Sequence, residues 1–536
     1  MTRREMLRGL GFGVGAAVVV AGCTVPTPGE PRLPPPGAPD AGPFPDGVMA
    51  GDPAPDGTVL WTRVTPPVDG AAVPVLWSIA DDPSFGSIRA AGLVTAEAAT
   101  GHTVQVAVTG LQPDRWYHYR FEAPGADGTS AGRSTRMSRT GRLRTSPSAG
   151  AVPDHLRFAF GSCQQINDSW FNAHAAIAAE PGLDFFMHLG DYVYVSDHGT
   201  LTLDQYRDAY RRWRAQPMLR DLHAALPCVA MWDDGEFYNG VDAHGAPERL
   251  AAAKRAWFES FPLAGSTVDP GARRSYRRFA WGGLADVSMI DVRSYRDPAL
   301  DDVVHTGASG MDDPGRTTLG AEQYAWLTSG LAASTASWRL IGNPYNIAPW
   351  KLVDLEFLRL FRPDMPAEPG VYAPNEAWDD YMAERRDLLD FLIDHDISDT
   401  VFASAHTHIA ISSDLRTHPS SSRVAAHDFC AGSLTADPDP RRAYLGDLPL
   451  DVAEELLRAA ERFVVDQNRP GMRHLNMVDQ GYTVVDVTPE ALTVTYRTID
   501  TSDPDAVAAD AARFRVLPGG RPMEVLPVAR PRGTVR

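Results

Sequence analysis

Chemically active side chains follow six apolar runs of the sequence, each at the point where the run ends. They comprise a thiol, carboxylates, a phenol, a guanidinium, an amide and two imidazoles: Cys163, Asp191 with Tyr194, Asp233 and Asp234, Asp291 with Arg293, Asn343, and His406 with His408. Thiolate and phenolate suit a strongly Lewis-acidic transition metal, imidazole suits iron or zinc, and carboxylate oxygens suit a harder divalent ion. The mixed set predicts two metals that share a bridging carboxylate, an arrangement that activates water in phosphoryl transfer.

These residues need a sheet that brings them together. From about residue 157 onward, apolar runs that read as strands (RFAFGSC, LDFFMHLGD, PCVAMWDD, LADVSMID, WRLIGN, DTVFASAH) alternate with segments of helical spacing (LDQYRDAYRRWRAQ, PERLAAAKRAWFESF, LGAEQYAWLTSGLAA, YMAERRDLLDFLID). This alternation predicts a layered α/β domain with buried strands. In such domains, ligands bind at the carboxyl ends of the strands, where the active side chains stand.

A different pattern occupies residues 45–147. Apolar residues alternate with polar ones in TVLWTRV, VPVLWSIA, TVQVAV and RWYHYRFEA, and turn residues separate these segments. Strands at this spacing predict an all-β sandwich of about 100 residues. In GLQPDRWYHYRF, Tyr117 and Tyr119 resemble the turn and strand of a fibronectin-type-III domain. No titratable cluster stands here, so we expect a supporting or substrate-positioning role.

Composition limits the function classes. The 536 residues include 50 Lys and Arg against 68 Asp and Glu, which gives a net charge of -18. Nucleic acids and anionic membranes are bound by positively charged surfaces, so the charge argues against both as general partners. A phosphate substrate stays possible if bound cations reverse the field locally. Four cysteines are too few for a disulfide scaffold.

The N-terminus predicts export. Residues 1–22 contain the pair Arg3 and Arg4, followed by an apolar stretch from Leu10 to Gly22 that is too short to span a bilayer as a helix. The segment is typical of a signal peptide, and the twin arginines resemble a signal for the Tat export machinery, which passes folded proteins.

The end of this segment predicts a lipid anchor. The sequence Val-Ala-Gly-Cys that ends at Cys23 resembles the lipobox at which bacterial lipoproteins are cut and acylated. The alternative is a Sec signal with a chance cysteine. Residues 23–44 are rich in Pro and Gly, which predicts a semi-rigid tether. We therefore expect a protein on the outer face of the cytoplasmic membrane, or otherwise a periplasmic or secreted one.

Several motifs, in order, resemble one family. FPDGVMAGDPAPDGTVLWTRV, FAFGSC, HLGDYVY, WDDGE, WGGLADVSMIDVRSYRD, LGAEQYAWL, SAHTH and GYTVVDVTPE resemble segments of the PhoD-type alkaline phosphatases, which are related to the purple acid phosphatases and other calcineurin-like phosphoesterases. The resemblance extends from about residue 45 to 518. It implies an N-terminal β domain at 45–147, a four-layer αββα metallophosphoesterase domain at 155–518, and a C-terminal tail at 519–536.

The resemblance also implies a metal site. PhoD enzymes hold a ferric ion, partly by a cysteine and a tyrosine, beside calcium. By position, Cys163 and Tyr194 match the ferric ligands and Asp191 matches the bridging carboxylate. His406 and His408 match the pair of histidines that serves the two metals of purple acid phosphatases.

Two positions depart from the family pattern. PhoD members usually carry WDDHE where this chain has Gly235, so an imidazole that helps protonate the leaving oxygen or stabilises transition-state charge is missing. Where PhoD has Gly-Asp-x-His, this chain has Ala405-His406-Thr407-His408, so an aspartate has become His406. That change lowers the preference for calcium and raises it for iron, zinc or manganese. Alternatively, His406 supplies the missing imidazole.

The remaining polar residues carry less specific signals. Asp234 aligns with the metal-binding residue of its motif, whereas Asp233 reads as a structural carboxylate. Asn239 is either a turn residue or a residue that orients a ligand. Arg293 either grips phosphate or forms a structural pair with Asp291. Asn343 is either a ligand or an orienting residue.

The other cysteines and histidines are assigned to structure. Cys228 and Cys430 are either buried thiols or a disulfide, and their separation in sequence does not decide between the two. Four histidines lie in segments that read as helix or loop, without partners at ligand spacing: His174, His223, His395 and His474.

The sequence thus predicts an enzyme that hydrolyses phosphate mono- or diesters outside the cytoplasmic membrane. The proposed nucleophile is a metal-bound hydroxide and no protein nucleophile is required. Asp191, His406 and Arg293 are the expected catalytic residues. Two alternatives remain: a catalytically weakened phosphoesterase fold that acts as an anchored binding protein, which Gly235 suggests, and a phosphodiesterase of cell-wall or lipid phosphodiesters.

Overall fold

The computed structural model describes residues 42–124, 135–166, 169–195, 202–264, 274–300, 305–306, 310–363, 365, 368–372, 376–418, 420–438, 445 and 448–528. The predicted signal segment with Arg3 and Arg4, the acylation site Cys23 and most of the tether lie outside these residues. Among the helices of the described residues, none is long and apolar enough to cross a membrane.

The first folded part consists of strands with one short 3₁₀ turn, Ala98–Thr100. Its strands are β1 Val48–Ala54, β2 Gly57–Arg63, β3 Val73–Ala80, β4 Ile88–Ala96, β5 Thr103–Val108, β6 Trp116–Pro124, β7 Thr135–Met137 and β8 Gly141–Arg144. One sheet has the order β1-β2-β5, and the other has β4-β3-β6-β7 with β8 beside β6. Leu60 of one sheet and Val75 and Tyr119 of the other share a core. The predicted β N-terminal domain is therefore confirmed.

The second part begins with a seven-stranded sheet of order β11-β10-β9-β22-β23-β24-β25. Its strands are β9 Leu156–Gly161, β10 Phe185–Leu189, β11 Cys228–Met231, β22 Gly481–Val487, β23 Leu492–Thr498, β24 Ala509–Val516 and β25 Glu524–Leu526. β9, β10 and β11 are parallel, so their carboxyl ends meet at one edge. The last strand, β25, lies in the segment that the sequence assigned to a tail.

A second seven-stranded sheet has the order β12-β13-β15-β18-β20-β19-β21. Its strands are β12 Arg277–Trp281, β13 Ala285–Met289, β15 Trp338–Gly342, β18 Thr400–Ser404, β19 Ala410–Leu415, β20 Ala426–Cys430 and β21 Met472–Asn476. β13, β15, β18 and β20 are parallel. A small sheet of order β14-β17-β16 lies beside it, formed by β14 His305–Thr306, β16 Lys351–Asp354 and β17 Gly370–Tyr372.

The two large sheets pack face to face. Successive side chains of a strand point to opposite faces, so Leu340 of β15 joins Phe158 of β9 in one core, while its neighbour Ile341 joins Leu388 in another. At the edge where the parallel strands end, Ser162 and Ser433 form a β-bridge between the loops of the two sheets. The sheets therefore bring their carboxyl ends to a common edge.

Helices cover the outer faces. They are α1 Asn172–Ala179, α2 Leu203–Arg214, α3 Pro217–Ala225, α4 Pro247–Ser260, α5 Gly320–Ala333, α6 Met382–Asp394 and α7 Leu450–Gln467, and two 3₁₀ turns, Glu356–Leu360 and Trp378–Tyr381, accompany them. The helix α2 begins after Thr202, whose hydroxyl accepts the Gln205 N–H in a capping box. The predicted α/β domain is confirmed, and each strand and helix read from the sequence overlaps an element of the structure.

The β domain is fixed to the α/β domain by polar contacts. Asp52 forms a bidentate ion pair with Arg277, with N–O distances of 2.7 and 2.8 Å. The indole N–H of Trp61 donates to the carbonyl of Glu259 at 2.8 Å. These contacts are consistent with the supporting role expected for the β domain, and its substrate-positioning role stays a prediction.

Candidate metal centre

The candidate site lies at the edge where the parallel strands end. Four of its residues have a left-handed backbone conformation that non-glycine residues seldom adopt, with φ angles of 59° at Cys163, 55° at Asp191, 78° at His406 and 56° at His408. Such angles persist only where surrounding contacts enforce them, and they concentrate at functional sites. The strand-to-loop turns thus hold these side chains in fixed positions.

One donor cluster joins Cys163, Asp191 and His408, whose ligand atoms lie within 4.8 Å of one another. The thiol of Cys163 donates to Asp191 Oδ2 at 3.3 Å, and the hydroxyl of Tyr194 donates to the same oxygen at 3.2 Å. The Tyr194 hydroxyl also lies 3.0 Å from His408 Nε2. The structure therefore brings Cys163, Tyr194 and Asp191, which the resemblance matched to two ferric ligands and a bridging carboxylate, together with His408 of the matched histidine pair.

The ring of His408 has a fixed orientation. Its Nδ1 lies 3.0 Å from the carbonyl oxygen of Asp437, which can only accept a hydrogen bond. Nδ1 therefore carries the proton, and Nε2 presents its lone pair to the cluster. A histidine oriented in this way by a carbonyl is common among metal ligands.

The second donor cluster joins Asp191, Asp233, Asp234 and His406, again with ligand atoms within 4.8 Å. All four side chains are buried. Asp191 belongs to both clusters and is the one carboxylate that could bridge two ions. The second cluster contains Asp233 as well as Asp234, so the structure does not separate a ligand from a structural carboxylate by distance alone.

The hydrogen bonds of the two aspartates separate them. Asp233 accepts from Arg293 Nε at 2.5 Å and Nη2 at 3.0 Å, and its Oδ2 lies 2.6 Å from His406 Nδ1. Asp234 Oδ2 accepts the N–H of Gly240 at 3.1 Å and lies 3.7 Å from Arg293 Nη2. Asp234 Oδ1 is buried with no hydrogen-bond partner among the described residues and lies 4.0 Å from His406 Nδ1. Asp233 is thus already neutralised, and Asp234 has an oxygen free for an ion.

Burial and charge repulsion make the cluster unfavourable without a cation. Burial, together with the neighbouring Asp233, Asp234 and Glu236, raises the pKa of Asp191 well above its usual range. Burial and Asp191 also raise the pKa of the Cys163 thiol. Burial opposes ionisation of Asp233 too, but Arg293 and His406 outweigh it and lower its pKa.

The residues present fit metal ions. Asp234 Oδ1 is a buried carboxylate oxygen without a partner, which is costly unless a cation binds it. The first cluster offers sulfur, imidazole and carboxylate, with the phenol of Tyr194 beside it, and the second offers carboxylates and imidazole. Bound cations would favour the ionised thiol and carboxylates that burial alone disfavours.

Sequence reasoning missed Glu236 as a residue of the site. Its buried carboxylate accepts three backbone N–H groups, from Asp191 at 3.0 Å, Tyr192 at 2.9 Å and Asp233 at 3.0 Å. It therefore ties the loop after β10 to the loop after β11. Its place in the WDDGE motif indicated that Glu236 belongs near the site, but the backbone N–H groups that it binds depend on the fold.

Arg293 does not form the structural pair that the sequence allowed. Its guanidinium binds Asp233, not Asp291, and Nη2 lies 3.1 Å from His406 Nδ1. Asp291 accepts from the Ser275 hydroxyl at 2.6 Å and the N–H groups of Arg293 and Ser294, because it caps its own loop. The pairing of Asp291 and Arg293 side chains was wrong, and Arg293 is buried within the candidate site.

Two asparagines have mainly structural surroundings. The amide nitrogen of Asn343 donates to Ser404 Oγ at 3.0 Å, and its oxygen accepts the indole N–H of Trp378 at 3.3 Å. It orients the loop after β15. Asn239 is half-buried in the turn that also contains Gly240.

The disulfide alternative for Cys228 and Cys430 was wrong. Both are free, buried thiols, and burial raises the pKa of Cys228 to about 12. Cys228 lies on β11 and Cys430 ends β20, on different sheets. They pack as small apolar residues.

Two of the four other histidines, His174 and His223, are buried in structural positions, and His474 is half-buried. His174 lies in α1, 2.7 Å from Gln164 Oε1, and His223 lies in α3, 3.0 Å from the Tyr192 hydroxyl. His474 lies on β21, so its assignment to a helix or loop was wrong, and its ring is 5.5 Å from that of Tyr496 at a tilt of 37°. His395 is exposed after α6.

Comparison with known proteins yields consistent matches. The profile of the PhoD-like phosphatase family matches residues 158–496, and that of the PhoD-like phosphatase N-terminal domain matches residues 32–147. Alkaline phosphatase D of Bacillus subtilis (strain 168) is 32% identical over 430 residues, which span 74% of this chain and 70% of that protein. A solved structure described as "Structure of PhoD" superposes with a TM-score of 0.78 at 28% identity, covering 93% of this chain and 94% of that one.

Proposed function

Because this chain belongs to the PhoD-like phosphatase family and is a phosphoric ester hydrolase, we propose that it hydrolyses phosphate monoesters, diesters or both with a two-metal centre outside the cytoplasmic membrane. The observation that supports the metal centre is the position of Asp191, which belongs to both donor clusters. Its carboxylate is the proposed bridge.

The donor sets support different ions at the two positions. Cys163, Tyr194 and His408, with Asp191, would hold ferric iron, because thiolate and phenolate stabilise a strongly Lewis-acidic ion. Asp234 and His406, with Asp191, would hold a divalent ion, either calcium or zinc, manganese or iron. When bound, the metals supply an activated water and neutralise charge on the phosphate oxygens.

The protein's own groups prepare the site for the ester. Arg293 has no exposed side-chain surface, and its guanidinium is held by Asp233, so its charge is fixed beside the second cluster. A fixed cation near the transferring phosphoryl group stabilises negative charge as it develops. Asp233 also holds His406 Nδ1 at 2.6 Å, which orients the ring. We propose Asp191, His406 and Arg293 as the catalytic residues.

The hydrolase proposal is tested by turnover of p-nitrophenyl phosphate and of its bis ester, with iron, calcium, zinc or manganese supplied. We expect hydrolysis by the wild type and loss of it in Asp191→Ala. Asp204→Ala, which removes an exposed carboxylate on α2, is the matched control. No turnover of either ester with any metal would favour the anchored binding protein, and the ratio of the two rates distinguishes mono- from diester preference.

The identity of the metals is tested by metal analysis together with the visible spectrum. Ferric iron bound by tyrosinate or thiolate gives a charge-transfer band. We expect this band in the wild type and its shift or loss in Tyr194→Phe. A colourless protein that is active and fully loaded with metal would contradict iron at Cys163 and Tyr194.

The architecture and the location complete the proposal. We propose a fibronectin-III-like sandwich followed by a four-layer αββα domain, exported by the Tat machinery and acylated at Cys23. Expression in a bacterial host with a fractionation assay tests the anchor: the wild type is expected in the membrane fraction and Cys23→Ala outside it. Recovery of both in the soluble fraction would overturn the anchor but not the hydrolase proposal.

A further inference from the structure

A second polar cavity lies away from the metal centre, with a volume of about 60 Å³. Its wall includes Lys351 of β16, Ser413 near the end of β19, Arg416 just beyond it and Gly471 of the turn after α7. β19 runs antiparallel to β20, whose carboxyl end points to the metal centre. Ser413 and Arg416 are therefore at the opposite edge of the sheet from His408.

Two residues that line this cavity each have a buried side-chain atom without a hydrogen-bond partner among the described residues. These atoms are Ser413 Oγ and Arg416 Nε. Ser413 is almost fully buried, and the Arg416 side chain is 8% exposed. Unpaired buried polar atoms cost free energy, and few occur in native structures. The side chains of Ser413 and Arg416 thus place a hydroxyl and a guanidinium at this wall.

The charge of Arg416 is also poorly balanced. The nearest carboxylate oxygen, Asp414 Oδ2, lies 3.9 Å from its Nη2. Asp414 is already engaged by Arg473 at 2.7 and 2.9 Å and by His427 at 3.0 Å. Burial lowers the pKa of Arg416, as expected for a cation without a close anion.

Lys351 adds a second buried cation. Its side chain is 7% exposed, and its Nζ donates to Asp354 Oδ1 at 3.0 Å. An ammonium has three donors, so it can bind another acceptor besides Asp354. The cavity also contains the carboxylate of Glu368, which binds Arg385 at 3.1 Å. Glu368 and Asp414 of the wall therefore have cations outside the proposed ligand set, Arg385 and Arg473, whereas Asp354 shares Lys351 with it.

We propose that this cavity binds a small oxyanion of the phosphate type through Ser413, Arg416 and Lys351. The volume admits more than one water molecule but only a small ligand. Guanidinium, ammonium and hydroxyl groups can each donate a hydrogen bond to a phosphate oxygen. The site is separate from the metal centre and does not depend on the proposed reaction. Its ligand is either free phosphate or the phosphate group of a small ester.

Equilibrium dialysis of the full-length protein against radiolabelled inorganic phosphate tests this site. We expect Asp191→Ala to keep a bound phosphate and Arg416→Gln to weaken that binding at least tenfold in the same background. In an otherwise wild-type chain, Arg416→Gln should leave turnover unchanged. Arg423→Gln, which removes an exposed arginine of the following segment paired with Asp396, is the control and should bind like its parent.

Further arms separate the outcomes. Ser413→Ala, a smaller change, is expected to weaken phosphate binding too, so the proposal stays testable if Arg416→Gln fails to fold. Competition by glycerol phosphate distinguishes a free ion from an ester group. If glycerol phosphate displaces the labelled phosphate as well as unlabelled phosphate does, the site binds phosphate groups in general. If it displaces none, the site binds only the free ion. Binding lost entirely with Asp191→Ala, or unchanged in both cavity variants, would overturn the site and leave the hydrolase proposal untouched.

Discussion

The backbone N–H of Gly235 donates a 2.8 Å hydrogen bond to Asp191 Oδ1, and a Cβ at Gly235 would lie 2.6 Å from that same oxygen. The backbone of the loop after β11 therefore contacts the carboxylate of Asp191, the proposed bridge, directly. The other oxygen of Asp191 accepts from Cys163 and Tyr194. Both oxygens are thus oriented, and the absence of a side chain at position 235 is part of that arrangement.

We predict that Gly235→Ala lowers kcat by about 10²-fold, because the added methyl group must displace Asp191 or the loop by a large fraction of an ångström. The carbonyl oxygen of Val193 lies 2.8 Å from the same Cβ position, so the methyl group also has a close backbone contact there. Kinetics with p-nitrophenyl phosphate and metal content measure the effect. Gly86→Ala is the control, since a Cβ there meets only ordinary contacts.

The same contact predicts the outcome of restoring the family residue. Gly235→His should not raise activity above that of Gly235→Ala, because both carry the Cβ that meets Asp191 Oδ1. An increase over the wild type would show that the loop can move and that the missing imidazole limits the rate.

We predict that Glu236→Gln lowers metal affinity about 10- to 100-fold, as expected when a group that supports metal ligands is changed. The glutamine amide has one acceptor oxygen, whereas the carboxylate has two, and its NH₂ group is a donor that cannot bind a backbone N–H. At least one of the three N–H groups then loses its acceptor, which costs about 1–3 kcal/mol. Metal titration of the purified variant and its unfolding midpoint provide the two measurements.

A matched control separates stability from metal binding. Glu384 also accepts three donors, the Thr317 hydroxyl and the N–H groups of Thr318 and Leu319, in α6 rather than at the centre. Glu384→Gln should destabilise the protein to a similar degree without lowering metal affinity. Equal loss of metal in both variants would refute a positioning role for Glu236.

The fold was largely predictable because its signals are local. Buried strands contain apolar runs, such as residues 484–485 within β22 and 185–187 within β10, and helices such as Gly320–Ala333 show helical spacing of their apolar residues. The positions of Cys163, Asp191 and His408 followed from the rule that strand ends share an edge. No local pattern of the sequence predicts the contacts that join the two large sheets at one centre, such as the bridge between Ser162 and Ser433.

The pairing of charges was not predictable for the same reason. Asp291 and Arg293 are two residues apart, so proximity in sequence favoured a pair, yet Arg293 reaches Asp233, sixty positions earlier. His474 lies in a short strand whose flanks resemble a turn. Such assignments depend on contacts between distant segments.

We predict different effects for the two neighbouring aspartates of the second cluster. Asp233→Asn removes the partner of the buried Arg293 and should lower the free energy of unfolding by about 3–5 kcal/mol. Asp234 has only long ion-pair distances, 3.7 Å to Arg293 and 4.0 Å to His406, and its buried Oδ1 has no hydrogen-bond partner among the described residues. Asp234→Asn should therefore leave the metal-free protein about as stable as the wild type while it loses one metal per chain. Elemental analysis and urea unfolding distinguish these results, and equal destabilisation by both changes would contradict the assignment.

The last prediction concerns acid stability and His188 of β10. This ring is fully buried between Phe186 and Tyr192, neither nitrogen has a partner among the described residues, and burial lowers its pKa to about 3. Above about pH 6.5 the ring is neutral in both states. Between about pH 6.5 and 3 only the unfolded chain binds the proton, so stability falls as pH falls. The free energy of unfolding of His188→Phe, measured by urea unfolding of the metal-free protein, should therefore rise by about 2 kcal/mol relative to that of the wild type as the pH is lowered from 7 to 5. His395→Phe, the control, should show no such rise. If the stabilities of His188→Phe and the wild type change with pH in parallel, the burial effect is refuted.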